Sequence, residues 1–166
     1  MTDDEKYAIG QALYQAAKLL KAEAMLMTMT AREVSGQEPP AVVAAAMKAA
    51  DVVICPMKTS ITHTRAKIEA AEAGARIATM PGITEEMFAM GAMTADYSRV
   101  MALTEQVTDL LTNANTARIE KDGHVLTLDL RGRRGVSSHG VYREKGQAGN
   151  LPSGESYIAP IETGAN

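Results

Sequence analysis

The carboxylate of Glu155 ends the stretch Gly149-Asn150-Leu151-Pro152-Ser153-Gly154-Glu155, and the run Ser156-Tyr157-Ile158-Ala159-Pro160 follows it. A proline and two glycines make the stretch a stiff turn. A stiff turn fixes carboxylate oxygens before a cation or a proton arrives, which is what metal ligands need. Glu155 is therefore the lead candidate for metal chemistry. Histidines contribute less: the chain has only His63, His124 and His139. His63 is expected in the first turn of a helix, His124 just after a tight turn, and His139 in a loop upstream of Glu155. Metal-activated chemistry wants at least three protein ligands and an open position, so Glu155 alone would hold a divalent ion weakly. No Gly-x-Ser-x-Gly elbow is present, which argues against a serine hydrolase. Cys55 sits in the apolar run Val52-Val53-Ile54-Cys55 and reads as a buried, inert thiol. No residue is assigned a catalytic role, and no cofactor-binding residues are assigned beyond the metal.

Bulk properties narrow the classes. The chain has 166 residues, 46% hydrophobic content and a net charge of −3. That suffices for a real core and lacks the basic excess of a nucleic-acid surface. Arg131, Arg133 and Arg134 cluster, but in a glycine-broken loop that reads as a solvated turn. A single cysteine forbids an intrachain disulfide and suits a reducing compartment. The charged start Thr2-Asp3-Asp4-Glu5-Lys6 lacks the apolar centre of a signal peptide, and no stretch is apolar enough to span a bilayer. A cytoplasmic protein with no membrane or nucleic-acid partner is expected. Most of the eleven methionines fall in apolar runs and read as flexible core filling.

The elements that must position Glu155 come from periodicity. Ile9, Leu13, Ala16, Ala17 and Leu20 predict a helix from Asp4 to Leu20, with Thr2 and Glu5 forming a capping box. Ala24 to Met29 reads as a buried strand, Ala41 to Ala50 as a helix after Pro39-Pro40, and Asp51 to Cys55 as a strand. Thr62 is expected to cap a helix from His63 to Ala73, ended by Gly74, before a strand from Arg76 to Met80. Alternation at these lengths predicts an α/β fold: a Rossmann-like or flavodoxin-like open parallel sheet with helices on both faces. No dinucleotide fingerprint is present; Pro81-Gly82-Ile83-Thr84 is a strand-to-helix turn capped by Thr84. A short helix from Thr84 to Met90 and a longer one from Asp96 to Leu111 follow. In the latter Tyr97, Val100, Leu103, Val107, Leu110 and Leu111 form an apolar stripe expected to be core. Asp122-Gly123 then predicts a two-residue hairpin turn pairing Ile119 with Leu126 and Ala117 with Leu128, one face apolar and half-covered. The expected division is residues 1–113 as an N-terminal α/β domain and residues 114–166 as the start of a truncated β-rich catalytic domain.

Asn150, Leu151, Pro152, Gly154 and Glu155 resemble the metal-binding turn of the thermophilic aminopeptidase T/S family, metallo-exopeptidases of the leucyl aminopeptidase type. Thr62-His63-Thr64-Arg65-Ala66, the run from Ala73 to Thr84, Ile9-Gly10-Gln11-Ala12-Leu13 and Glu38-Pro39-Pro40 resemble the N-terminal domain of the same family. The resemblance implies a homodimeric metallo-aminopeptidase acting on peptide substrates, with Glu155 ligating a divalent ion of the zinc, cobalt or manganese class. Against that pattern the chain lacks the first strand, most of the catalytic domain and the remaining ligands, so little turnover is expected of it alone.

Ring-opening dioxygenases acting on dihydroxypyridines resemble the same superfamily and use one non-haem iron. They are the second reading. A non-catalytic dimerisation or ligand-binding α/β module is the third.

Overall fold

The computed structural model describes residues 1–162. It divides into two compact units, one of Met1–Ala95 with Gly140–Pro152, the other of Asp96–His139 with Ser153 onward. The expected boundary at about residue 113 lies inside the second of these, and the last four residues of the expected 114–166 domain lie outside the described residues.

The first unit is the α/β body. It opens on a two-residue strand, β1 (Thr2–Asp3), paired in parallel with β2 (Thr28–Met29). Helix α1 (Tyr7–Leu19) follows a 3-10 turn at Asp4–Lys6. Thr2 is therefore not the cap that the spacing predicts. Strand pairing buries it, and its hydroxyl donates to the Pro56 carbonyl at 3.0 Å. Asp3 takes over the cap, accepting from the Lys6 amide at 3.1 Å, while Glu5 pairs with Lys58 at 2.6 Å instead of reaching back. Gly10 is the price of this close approach: a Cβ there would lie 2.8 Å from Thr2 Cβ. The strand expected from Ala24 shrinks to two residues because its partner is only two residues long.

Helix α2 (Ala41–Ala49), β3 (Val52–Met57), α3 (Arg65–Glu72), β4 (Arg76–Pro81) and α4 (Glu85–Ala89) complete the alternation. The cap of α3 is Thr64, not Thr62, accepting from the Lys67 amide at 3.3 Å. The α/β expectation holds: β3 and β4 run parallel, Val53 opposite Ile77 and Cys55 opposite Thr79. Side chains alternate to the two faces, as a pleat requires. Val53, Cys55, Met57 and Ile77 join Val43, Met47, Ala66 and Ala70 in one core. Met80 and Ile54 join Ile9, Leu13 and Ile83 in the other. Both faces are covered, which is the condition for an all-parallel sheet. A third strand, β8 (Ala148–Asn150), enters beside β4 in parallel, Thr79 opposite Asn150, and was not foreseen from the sequence.

The second unit holds α5 (Tyr97–Asn113), the hairpin β5 (Thr116–Lys121) and β6 (His124–Asp129), β7 (Val136–Ser138) and β9 (Glu155–Tyr157). The hairpin has the expected register, Ile119 with Leu126 and Ala117 with Leu128. Asp122 and Gly123 sit at φ 51° and 78°, the left-handed pair that a two-residue hairpin turn demands. The apolar face is only partly covered: Ile119 and Leu126 are half exposed. The α5 stripe is also not core. Leu103, Val107 and Leu110 face outward, and the helix packs through Thr104 and Thr108 against Ser156 of β9 instead. At the end of β6, the Arg131 guanidinium holds the Asp129 carboxyl well below its usual range, at about 2.

Candidate functional site

In open α/β sheets, ligands gather outside the carboxyl ends of the strands. At that edge of the first unit the structure builds a hydrogen-bonded polar cluster. Thr79 on β4 donates to Asn150 Oδ1 at 2.5 Å, and Thr62 donates to the same oxygen at 3.0 Å. Ser60 donates to Thr62 at 2.9 Å, and the Tyr142 hydroxyl donates to the Asn150 carbonyl at 2.8 Å. The Leu151 amide donates to the Thr79 carbonyl at 2.8 Å, continuing the strand pairing by one residue. Asn150 is thus held through side chain and backbone together. Gly149 lies under the Tyr142 ring, where any Cβ would strike the phenol oxygen. Motif matching singled out Asn150 and Thr62 but not this clamp. The signal that could have found it is a threonine in a buried strand, which needs a partner for its hydroxyl.

Glu155 opens β9, with Ser138 of β7 opposite it. Its neighbours are tied down. Ser153 donates to the Ser138 carbonyl at 2.7 Å, and Ser156 donates to the Thr104 carbonyl at 2.7 Å. Gly154 sits at φ 145°, and a Cβ there would lie 2.9 Å from Val100 Cγ1. Strand alternation turns Ser156 inward and leaves Glu155 exposed. The backbone under Glu155 is therefore braced while its carboxylate is open to solvent.

The other candidates do not converge on it. Among the described residues, no three His, Cys, Asp or Glu side chains come together in a way that could hold a metal ion. His63 is exposed in the turn before α3, not inside the helix, and His124 is exposed after the hairpin turn. His139 is half-buried just after β7. A shallow, mostly apolar cavity of about 240 Å³ lined by Glu86, Met87, Met90, Gly91, Ala92 and Pro152 falls below the usual ligand-site range. No helix among the described residues is long and apolar enough to cross a membrane.

Cys55 is buried as expected, 1% exposed, and burial pushes its thiol up to about 11. A thiol held protonated is a poor nucleophile. Alkylation by iodoacetamide at neutral pH is expected to be at least a hundredfold slower in the native protein than in urea, read by intact mass. Equal rates in the two states would contradict the buried assignment.

The parallel sheet covered by helices, with its polar edge at the strand ends, defines an α/β protein of the class that carries enzymes at that edge. The family model for NicX, 2,5-dihydroxypyridine 5,6-dioxygenase, matches residues 2–166, and the chain belongs to that family. The solved structure of 2,5-dihydroxypyridine dioxygenase from Pseudomonas putida KT2440 is similar in fold, with a TM-score of 0.71 at 21% identity. The likeness covers 97% of this chain and 49% of that one, so this chain spans about half the length of its structural relative. No curated protein matches the chain.

The aminopeptidase T/S resemblance is thereby overturned. With it go the peptidase and hydrolase readings and the expectation of peptide substrates that rested on them. The residues that suggested it are scaffold. Gly82 turns the chain at φ 69°, Thr84 caps α4 by accepting from the Met87 amide, and Thr64 caps α3. Such residues report a fold and not a reaction. The family's metal dependence keeps the expectation of a metal but not the zinc, cobalt or manganese class.

Proposed function

We propose that this chain is the α/β portion, with the adjoining carboxylate turn, of a non-haem-iron dioxygenase that opens a dihydroxylated pyridine ring. In the reaction that the family's description names, both atoms of dioxygen enter the product as the bond between ring carbons 5 and 6 breaks. The observation that carries the reading is the family match across nearly the whole chain. Partners in this reading are a small aromatic substrate and a second copy of the chain. The net charge of −3 speaks against nucleic acid.

The donors among the described residues do not fit a complete iron site, since no three ligand-type side chains meet. No catalytic step is therefore assigned to iron here. What the chain supplies is support: the clamp on Asn150 holds the end of β8, and Glu155 offers one open carboxylate as a single candidate ligand.

A chimera tests the reading. This chain replaces the matching half of the Pseudomonas putida dioxygenase, and ferrous-iron-dependent oxygen uptake on 2,5-dihydroxypyridine is measured. Uptake of one dioxygen per ring is expected, with no aniline released from a leucine anilide. A folded, iron-loaded chimera that leaves the ring intact or hydrolyses the anilide would overturn it. In the same chimera, Glu155→Gln is expected to weaken ferrous iron binding about tenfold if the carboxylate ligates or supports the metal. Unchanged affinity removes Glu155 from the site.

A further inference from the structure

The loop between β2 and α2 lies at the same edge of the first unit as the Asn150 clamp. Thr2 donates to the Pro56 carbonyl and the Lys58 amide donates to Asp3, so β1 advances alongside β3. Strand β2 is parallel to β1, and its carboxyl end therefore points the same way as those of β3 and β4. The loop is then tied to the turn after β3. Thr59 donates to the Arg32 carbonyl at 3.4 Å, and the Ser60 amide donates to Ser35 Oγ at 3.2 Å. The Gly36 amide donates to the Ser60 carbonyl at 2.8 Å. Ser60 is also the residue whose hydroxyl donates to Thr62 of the clamp.

Arg32 stands in this fixed loop with nothing to hold. The side chain is half-buried, and its Nε is buried with no hydrogen-bond partner among the described residues. None of the ion pairs among those residues includes it. Buried guanidinium nitrogens are normally satisfied, because a fixed charge with five N–H donors is costly to strip of water. The acids of the neighbourhood are spent elsewhere. Asp4 accepts from the Ala31 amide, Glu5 pairs with Lys58, and Glu38 accepts from the Arg65 and Ala66 amides. On the same edge Asn150 has its oxygen taken by Thr62 and Thr79, while its NH2 group has no partner among the described residues. The unclaimed groups are donors and the carboxylates are claimed. Such an edge suits an anion and not a cation.

We propose that Arg32 is an oxyanion-binding group, taking the carboxylate or ionised hydroxyl of a small organic molecule at the carboxyl edge of the sheet. A planar guanidinium matches a carboxylate through two parallel hydrogen bonds and also holds a single ring oxygen anion. The bound anion supplies the countercharge that the fold does not. The ring-opening reading offers both kinds of ligand. A dihydroxylated ring carries ionisable hydroxyls, and cleavage beside a hydroxyl-bearing carbon turns that carbon into a carboxylate. The choice of these two ligands rests on that reading; the anion site itself does not.

Titration of the purified chain at constant ionic strength, followed by the Gly36 and Ser60 amide signals in nitrogen-15 NMR, tests the proposal. Maleate stands for an opened-chain carboxylate and 2,5-dihydroxypyridine for the ring. Saturable binding of at least one is expected, and the tighter of the two identifies the source of the oxyanion. Arg32→Gln is expected to weaken binding about tenfold or more. Arg32→Lys, which keeps the charge but not the fork, should weaken it severalfold. Arg65→Gln removes an exposed cation already paired with Glu69 and should bind as the wild type does. A thermal melt separates ligand binding from a structural role. Without organic anion, Arg32→Gln should melt with the wild type, and only the wild type should gain stability from the ligand. Absence of binding up to tens of millimolar, or binding indifferent to Arg32→Gln, overturns the proposal. So does a large drop in the anion-free melting temperature of that variant, which would make Arg32 a scaffold residue bonded through water. The readout is binding by this chain alone, so the ring-opening reading stands or falls separately by the chimera.

Discussion

Replacing Ile77 with alanine is expected to lower the stability of the α/β unit by about 3–4 kcal/mol, the middle of the range for emptying a packed core position. Ile77 is fully buried near the start of β4, with β3 on one side and β8 on the other. Its side chain belongs to the core that holds Val53, Cys55, Met57, Ala66 and Ala70. Removing three carbons there loses their transfer free energy and leaves a void that rigid parallel strands cannot close. Domains of this kind are stable by only about 5–15 kcal/mol, so the loss is a large fraction of the whole. Urea titration followed by circular dichroism is the measurement, with a lower midpoint and unchanged slope expected. Ile68→Ala on the outer side of α3, where Ile68 is half exposed, is the control and should cost under about 1 kcal/mol. Similar midpoints for the two variants would show that the core is not where the structure places it.

That core was largely legible in the sequence, because it rests on periodicity alone. A helix from Ala41, a strand through Cys55 and a strand from Arg76 follow from apolar runs bounded by Pro39-Pro40 and Gly74, and the hairpin register follows from Asp122-Gly123. What escaped was long-range. Ala148-Gly149-Asn150 has no apolar alternation of its own and becomes a strand only because β4 offers it an open edge. The α5 stripe misled for the opposite reason. Its apolar spacing is real, but periodicity says only that a face will be covered, not that this chain covers it.

The candidate site was less legible still. The sequence pointed to Thr62 as the cap, and only the structure shows that Thr62 spends its hydroxyl on Asn150 while Thr64 caps α3. Glu155 was visible because glycine and proline advertise a turn, yet a turn carries no information about the metal or the substrate it serves. The motifs that suggested an aminopeptidase are of the same kind. They state where the backbone must bend, which is a requirement of the scaffold and not of a reaction. The family came from the match over residues 2–166 and not from any one residue.

Asp3→Ala should be as damaging as the core substitution, though it removes only a small polar group near the start of the chain. Asp3 is fully buried. One carboxylate oxygen accepts from the Lys6 amide at 3.1 Å and the other from the Lys58 amide at 2.6 Å. The side chain thus caps the turn leading into α1 and at the same time secures the backbone just after β3. Hydrogen bonds to a charged group contribute about 1.5–3 kcal/mol each, and alanine would leave both amides without their acceptor, for an expected loss of roughly 3–5 kcal/mol. Asp3→Asn keeps one acceptor oxygen and turns an amide donor toward the second N–H, so it should recover only part of that loss. Asp4→Ala is the contrast. Its carboxylate accepts from the Ala31 amide in an exposed setting, and its removal should cost under about 1 kcal/mol. Hydrogen exchange separates these outcomes from simple fraying, because the Lys6 and Lys58 amides should lose protection together in Asp3→Ala. If only Lys6 responds, Asp3 is no more than a helix cap, and the link between the first strand and the carboxyl edge of the sheet has to be sought elsewhere.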